Sequence, residues 1–211
     1  MSKSFSFDEL SNGYQARYSL SPMPETKSFL NKLIHNLQPS TVCELGCGTC
    51  YWIGILNNPD YKSFGIDISL NMLKNSPRFI RGRTVCGDAT ILPFQNTLFD
   101  LMFMVNVIHL IPDKDLIFRE VYRTLNKGGI FAIIFADVHD ERYINFIFDC
   151  FNGTKERSLK LMPTVDQLRK MFEMNLFSEI KIDTVEIINA TFNGAEVFNN
   201  PYLRKNGSST L

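Results

Sequence analysis

The stretch Thr41 to Leu56, TVCELGCGTCYWIGIL, constrains the fold of this 211-residue sequence more than any other. Thr41 to Leu45 reads as a short strand, Gly46 and Gly48 as a sharp turn, and Tyr51 to Leu56 as the apolar start of a helix. Glycine has no Cβ, so a turn built on it bends sharply and brings backbone close to a ligand. A strand, a glycine turn and a helix form the first half of a βαβ unit.

The same alternation runs on. Upstream, Pro24-Glu25 opens a helix with Phe29, Leu33 and Leu37 on one face, closed by Gln38-Pro39. Downstream, strands are expected at 62–68, 83–87, 100–107 and 130–135, with helices at 70–75 and 113–125 between them. Asn126-Lys127-Gly128-Gly129 is expected to end the second of these helices with left-handed residues. A helix over 164–174, capped by Thr164, and a strand over 179–188 complete the reading. This order predicts an α/β fold, a three-layer α/β/α sandwich whose mostly parallel sheet is wound on both faces. Ligands of such sheets sit beyond the carboxyl ends of the strands. Glu44, Asp67, Asp88, Asn106 and Asp137 all fall at or just past such an end, which marks a site there.

Composition narrows the partners. Lys plus Arg number 22 and Asp plus Glu 22, with no long run of one sign, so neither a nucleic acid nor a membrane surface held by a broad basic face is expected. The start, MSKSFSFDEL, lacks the apolar core of a signal peptide, and the longest apolar run is broken by Asn106 and His109, so no membrane insertion is expected. Five cysteines are an odd count without a disulfide-like framework, which fits a reducing cytoplasm.

Three of those cysteines, Cys43-x3-Cys47-x2-Cys50, stand at the spacing by which radical enzymes hold an iron–sulfur cluster. A cluster needs its thiolates to converge, whereas Cys43 falls inside a predicted strand and Cys47 and Cys50 in a glycine turn. A zinc site would need a fourth ligand, and none stands nearby. The glycine reading is the better one, although Tyr51 replaces the third glycine of the dinucleotide fingerprint. Asp67, about twenty residues past the glycines, is placed to accept a ribose diol, or else to cap the helix that follows. Met72 can lie against an adenine face or belong to the core. Asp88 can accept from an exocyclic amine or merely make an Asx-turn.

At these residues the sequence resembles the class I S-adenosylmethionine-dependent methyltransferases, of the small-molecule type near the ubiquinone and menaquinone biosynthesis enzymes. The matching stretches are CELGCGT, GIDISLNML, CGDATILPF, FDLMFMVNVIHLIPD and REVYRTLNKGGIFAI, in the family's order, within a likeness running from about Tyr14 to Ile188. The resemblance implies a Rossmann-like methyltransferase fold binding S-adenosylmethionine without a metal. Glu44, Gly46 and Gly48 would stand by the methionine portion, Asp67 at the ribose, Ile68, Met72, Asp88 and Ala89 around the adenine, and Asn106 beside the cofactor. The N-terminal FDELSNGYQARYSL resembles a lid, with Arg17 facing the cofactor carboxylate and Tyr14 and Tyr18 lining the pocket. The chain then reads as one domain: lid and first helix over 1–38, cofactor core over 39–136, an acceptor-covering insertion over 137–163, and a C-terminal part over 164–211. Two departures stand out. Cys50 occupies a position where the family usually has glycine, and the sequence stops at SSTL, where relatives begin a final antiparallel strand.

Methyl transfer from a sulfonium is an in-line displacement that needs alignment, and a base only if the acceptor must lose a proton. His109 is the first candidate base, or else a structural or substrate-lining residue; His139 is the second candidate base and, with Tyr143, an acceptor-lining candidate; His35 is expected at the surface. Tyr143, Phe146, Phe148, Phe151 and Met162 give the insertion an aromatic character, which either points to a small apolar or aromatic acceptor whose O, N or C atom is methylated or packs the insertion onto the core. The alternative is a protein that binds S-adenosylmethionine without transferring its methyl. A homodimer is left open.

Overall fold

In the computed structural model, which describes residues 11, 14–20, 22–142, 148 and 152–187, five strands form one sheet in the order β3-β2-β1-β4-β5. The strands are β1 (Thr41–Leu45), β2 (Lys62–Asp67), β3 (Thr84–Cys86), β4 (Phe99–Val105) and β5 (Leu125–Ile134), and every pairing is parallel. The chain builds outward from β1 to β3, then returns to lay β4 on the other side of β1. The direction of winding therefore reverses between β1 and β4, which opens a crevice at their carboxyl ends. Helices α1 (Ala16–Leu20), α2 (Pro24–Leu37), α3 (Tyr51–Ile55), α4 (Leu70–Lys74), α5 (Lys114–Thr124), α6 (Thr154–Leu161) and α7 (Val165–Met174) flank the sheet.

Strand periodicity of two sorts the core onto two faces. Val42, Leu101 and Phe103 face Leu30 of α2 and Trp52 and Ile53 of α3. Cys43, Leu45, Met102 and Met104 face Ile117, Phe118 and Val121 of α5 and Leu168 of α7. Both faces of β1 and β4 are covered, which is why FDLMFMV is apolar almost throughout. Phe118 centres an edge-on aromatic group with Phe131, Phe172 and Phe177. It is fully buried, and truncating it to Ala would cost about 3–5 kcal/mol. At the amino ends of the strands, Asp100 accepts from the Ser40 and Thr41 amides at 2.8 and 3.1 Å and from Asn126 Nδ2 at 2.7 Å. That clamp ties β1, β4 and β5 together at the end opposite the crevice.

Two helix ends follow local chemistry closely. Thr164 and Gln167 form a reciprocal capping box at the start of α7. Asp113 caps α5 through the amides of Asp115 and Leu116.

Two expectations are corrected. The glycines of Asn126-Lys127-Gly128-Gly129 do not end α5: the helix stops at Thr124, and β5 begins at Leu125 rather than Ile130. Phe99 pairs with Leu125 but Leu101 with Ile130, so the segment with Gly128 at φ +80° bulges out of the ladder while Asn126 is held by Asp100. The strand expected over 179–188 is also absent through residue 187; Ile188 lies outside the described residues. Leu176 (φ +65°) and Glu179 (φ +55°) turn the chain out of extended geometry. Glu186 instead reaches α2, where its Oε2 accepts the Thr26 amide at 2.7 Å. The end of the chain discussed above, at SSTL, also lies outside the described residues.

Candidate active site

The turn after β1 is built from three residues in the left-handed region: Gly46 (φ +64°), Gly48 (φ +52°) and Cys50 (φ +60°). At Gly46 a Cβ would stand 2.6 Å from both γ carbons of Val107, just past β4, so the approach of the two strand ends requires glycine. At Gly48 a Cβ would meet only the Tyr14 ring, at 3.8 Å, so this part of the turn faces open space. The Gly48 amide donates to Asp67 Oδ2 at 2.7 Å, and the Ser69 amide to Asp67 Oδ1 at 2.8 Å. Asp67 is therefore not the cap of α4. Ser69 is: its Oγ accepts the Met72 amide at 3.1 Å. These two amides, one on each oxygen, orient the Asp67 carboxylate.

Glu44, one residue before the end of β1, is buried. It is only 2% exposed, and its Oε2 accepts the Ile53 amide at 3.1 Å, capping α3 from the neighbouring strand. Burial, reinforced by the nearby Cys50 and Asp67, pushes its carboxyl well above the ordinary range, against the Ile53 bond. Cys50, which precedes α3, makes no side-chain cap of its own, so Glu44 supplies what that position lacks. The three cysteines diverge: Cys43 belongs to the core on one face of the sheet, Cys47 and Cys50 to the other.

At the ends of β2 and β3, Ile68 is 70% exposed and Ile91 74%, which leaves apolar side chains at the mouth of the crevice. The Gly87 amide donates to the Asp67 carbonyl at 2.9 Å and holds these two ends together. Ala89 and Met72 are buried. Asp88 Oδ1 accepts from both the amide and the hydroxyl of Thr90 at 2.8 Å, an Asx-type turn on that oxygen. Asn106 takes the left-handed conformation (φ +57°), with its amide on the Ile134 carbonyl at 2.8 Å. That bend ends β4 and sends the chain toward His109.

His109 is 6% exposed, and neither ring nitrogen has a hydrogen-bond partner among the described residues. Burial first, then the charges of Lys114 and Arg17, lower its pKa to about 4. Arg17 lies 5.0 Å and 5.2 Å from the ring centroids of Tyr14 and Tyr18 and donates to the Tyr14 hydroxyl. Tyr18 stacks on Tyr51 with ring centroids 3.6 Å apart. The segment from Tyr14 to Leu20 thus sets Tyr14 beside Gly48 and the Arg17 charge within electrostatic reach of His109.

His139 is exposed, and its Nε2 lies 3.0 Å from the Met162 carbonyl, which ties it to the chain ahead of α7. Tyr143 lies outside the described residues. The sequence reading missed Thr49, 2% exposed with an Oγ that has no partner among the described residues, Ile91, and Lys114 near His109. Only Thr49, next to Gly48, carried any local signal.

These features gather at the carboxyl ends of β1, β2 and β4, where the winding of the parallel sheet reverses. The methyltransferase domain model matches residues 43–133. The demethylmenaquinone methyltransferase of Listeria welshimeri is 30% identical over 177 residues, 71% of this chain and 75% of that protein. The chain belongs to the class I S-adenosylmethionine-dependent methyltransferase family. An uncharacterised protein of Methanocaldococcus jannaschii is 33% identical over 131 residues, 60% of this chain, and the chain spans 50% of that relative's length. A methyltransferase structure from Aquifex aeolicus shares the fold, with a TM-score of 0.59 at 13% identity over 82% of this chain and 89% of that one.

Proposed function

We propose that this protein binds S-adenosylmethionine across the β1 and β2 ends and transfers its methyl group to an O, N or C atom of a small apolar or aromatic acceptor. The observation that carries the reading is the Asp67 carboxylate, oriented at 2.7 and 2.8 Å by two backbone amides at the end of β2. An acid held this way accepts a vicinal diol at low reorganisation cost. The open face over Gly48, the exposed Ile68 and Ile91, and the Thr49 Oγ, which has no partner among the described residues, fit the rest of the cofactor. Gly46, Gly48 and Thr49 would take the methionine end, with Arg17 at its carboxylate. Asp67 would hold the ribose, and Ile68, Met72, Asp88 and Ala89 would surround the adenine beside Asn106. When bound, the cofactor would supply an electrophilic methyl on a sulfonium whose leaving group is the neutral thioether of S-adenosylhomocysteine.

His109 would face the acceptor. Its lowered pKa leaves it neutral at neutral pH, so one ring nitrogen donates a hydrogen bond and the other accepts one. Such a group would orient a hydroxyl or amine by hydrogen bonding and, as the weak base that this lowered pKa makes it, would take the proton of an oxonium formed by O-methylation but not that of a methylated ammonium. Tyr14 and Tyr18 on the lid, and Tyr143 and His139 in the insertion, would line the remainder.

Isothermal titration with S-adenosylmethionine and S-adenosylhomocysteine tests binding, and S-adenosylhomocysteine release with a panel of phenols, hydroquinones and amines tests transfer. Absence of heat with both ligands would sink the reading. Binding without turnover on any acceptor would mark a protein that holds the cofactor only.

A further inference from the structure

The cysteine motif is left unused by the chemistry above, yet the fold gives two of its members a definite relationship. Cys47 and Cys50 bracket Gly48 and Thr49, and their sulfurs lie 3.5 Å apart. Cys47 is 5% exposed and Cys50 fully buried, both as free thiols. The pair sits over Gly65 of β2, where a Cβ would come within 2.8 Å of Cys47 Sγ and 3.6 Å of Cys50 Sγ. A strand residue without a side chain thus makes the space that both sulfurs occupy. The turn between them is closed by the Cys50 amide on the Cys47 carbonyl at 2.7 Å and anchored by the Cys47 amide on the Ile66 carbonyl at 3.0 Å. Gly48, halfway between the two, is the residue whose amide orients Asp67.

We infer that Cys47 and Cys50 form a reversible dithiol–disulfide switch that sets cofactor affinity; this rests on the cofactor reading of the turn. A disulfide needs its sulfurs about 2.05 Å apart with a dihedral near 90°. From a 3.5 Å contact, closing the bond draws the two ends of the turn together. The strain falls on the residues between, so Gly48 loses its alignment with Asp67. The oxidant is a small-molecule disulfide. One protein thiolate attacks it, breaking its S–S bond and releasing one small thiol. The second protein sulfur then displaces the other small thiol as the Sγ–Sγ bond forms. The two protons of the protein thiols pass to the two leaving thiolates.

Burial governs access as well as chemistry. The Cys50 thiol contact, burial and the nearby Glu44 and Asp67 push the Cys47 thiol up, so little thiolate exists while the turn is closed. Oxidation therefore proceeds through an opened turn, and a ligand that holds the turn closed protects the pair.

The test uses the whole chain poised in reduced and oxidised glutathione, with the intact mass reporting disulfide formation and titration calorimetry reporting S-adenosylhomocysteine affinity. Wild type is expected to lose two hydrogen atoms in mass and to bind about tenfold or more weakly, the loss that follows from misaligning one charge-assisted hydrogen bond. Reduction should restore it. Cys50→Gly suits the left-handed backbone at this position and leaves every other thiol in place, including the exposed Cys86. It should bind like the reduced wild type at every poise, and Cys47→Ser serves as a second control. Saturating ligand should disfavour oxidation by the ratio of the two affinities, about tenfold where the disulfide form binds about tenfold more weakly. A pair that stays reduced across the glutathione range, or a disulfide that leaves affinity unchanged, overturns the switch alone. Reduced protein that binds no S-adenosylhomocysteine overturns the cofactor reading and the switch with it.

Discussion

The Gly48 amide points at Asp67 Oδ2 from 2.7 Å away, joining the turn after β1 to the end of β2 across nineteen residues of sequence. If this carboxylate holds the ribose, Asp67→Ala removes two charge-assisted hydrogen bonds to the diol and frees the turn. Affinity for S-adenosylhomocysteine should fall about a hundredfold or more by titration calorimetry. Unchanged affinity would remove Asp67 from the site.

The two glycines of the turn should fail differently. Gly46→Ala places a methyl 2.6 Å from Val107 in a left-handed backbone, so the fold itself should lose about 2–4 kcal/mol in urea denaturation. Gly48→Ala meets nothing nearer than 3.8 Å, so only the left-handed cost of about 1–2 kcal/mol remains. Its larger effect should be on cofactor binding, because the added methyl stands on the open side of the turn. Equal stability losses with equal binding would contradict the geometry.

Glu186 caps α2 from 160 residues away. The Met23 position at the start of α2 offers no side-chain cap, so Glu186→Ala should cost about 0.5–2 kcal/mol and speed hydrogen exchange at the Thr26 amide. Glu186→Gln, which keeps an acceptor oxygen, should recover part of both. An exchange rate at Thr26 indifferent to Glu186 would break the link between the two chain segments.

His109 makes a pH prediction with a definite sign. Its pKa is lowered to about 4 by burial and by Lys114 and Arg17, against about 6.5 in the unfolded chain. Between these values the unfolded chain binds the proton and the folded one does not. The stability associated with the neutral ring is therefore present above about pH 6.5 and is lost as pH falls toward 4, by about 3 kcal/mol at most. The difference between wild type and His109→Gln isolates it. Glu44, raised in pKa, contributes in the opposite sense, but it is present in both proteins and cancels. A flat difference from pH 7 to 4, with a His109 ring that titrates normally by NMR, would refute the burial argument.

Much of this molecule was legible as pattern. The extents of α2 and β1, and the cap at Thr164, came out as read, because each depends on residues within a turn or two of one another. The misreadings share a cause. Gly128 and Gly129 carried a helix-ending signal, but α5 ends where β5 must pair with β4 and the glycines are used in the bulge. The stretch after Glu179 alternates like a strand, yet Glu186 is committed to the Thr26 amide.

The site divides in the same way. Gly46, Gly48 and Asp67 announced themselves through spacing, since a strand-turn-helix repeat puts every strand's exit on one edge. That Glu44 takes the Ile53 amide, that His139 lies against the Met162 carbonyl, and that Cys47 and Cys50 touch over Gly65 depend on how the elements pack. Local periodicity prescribes which face of an element is buried. Which polar groups meet across the core follows from packing the elements together, where each buried donor or acceptor must find its partner.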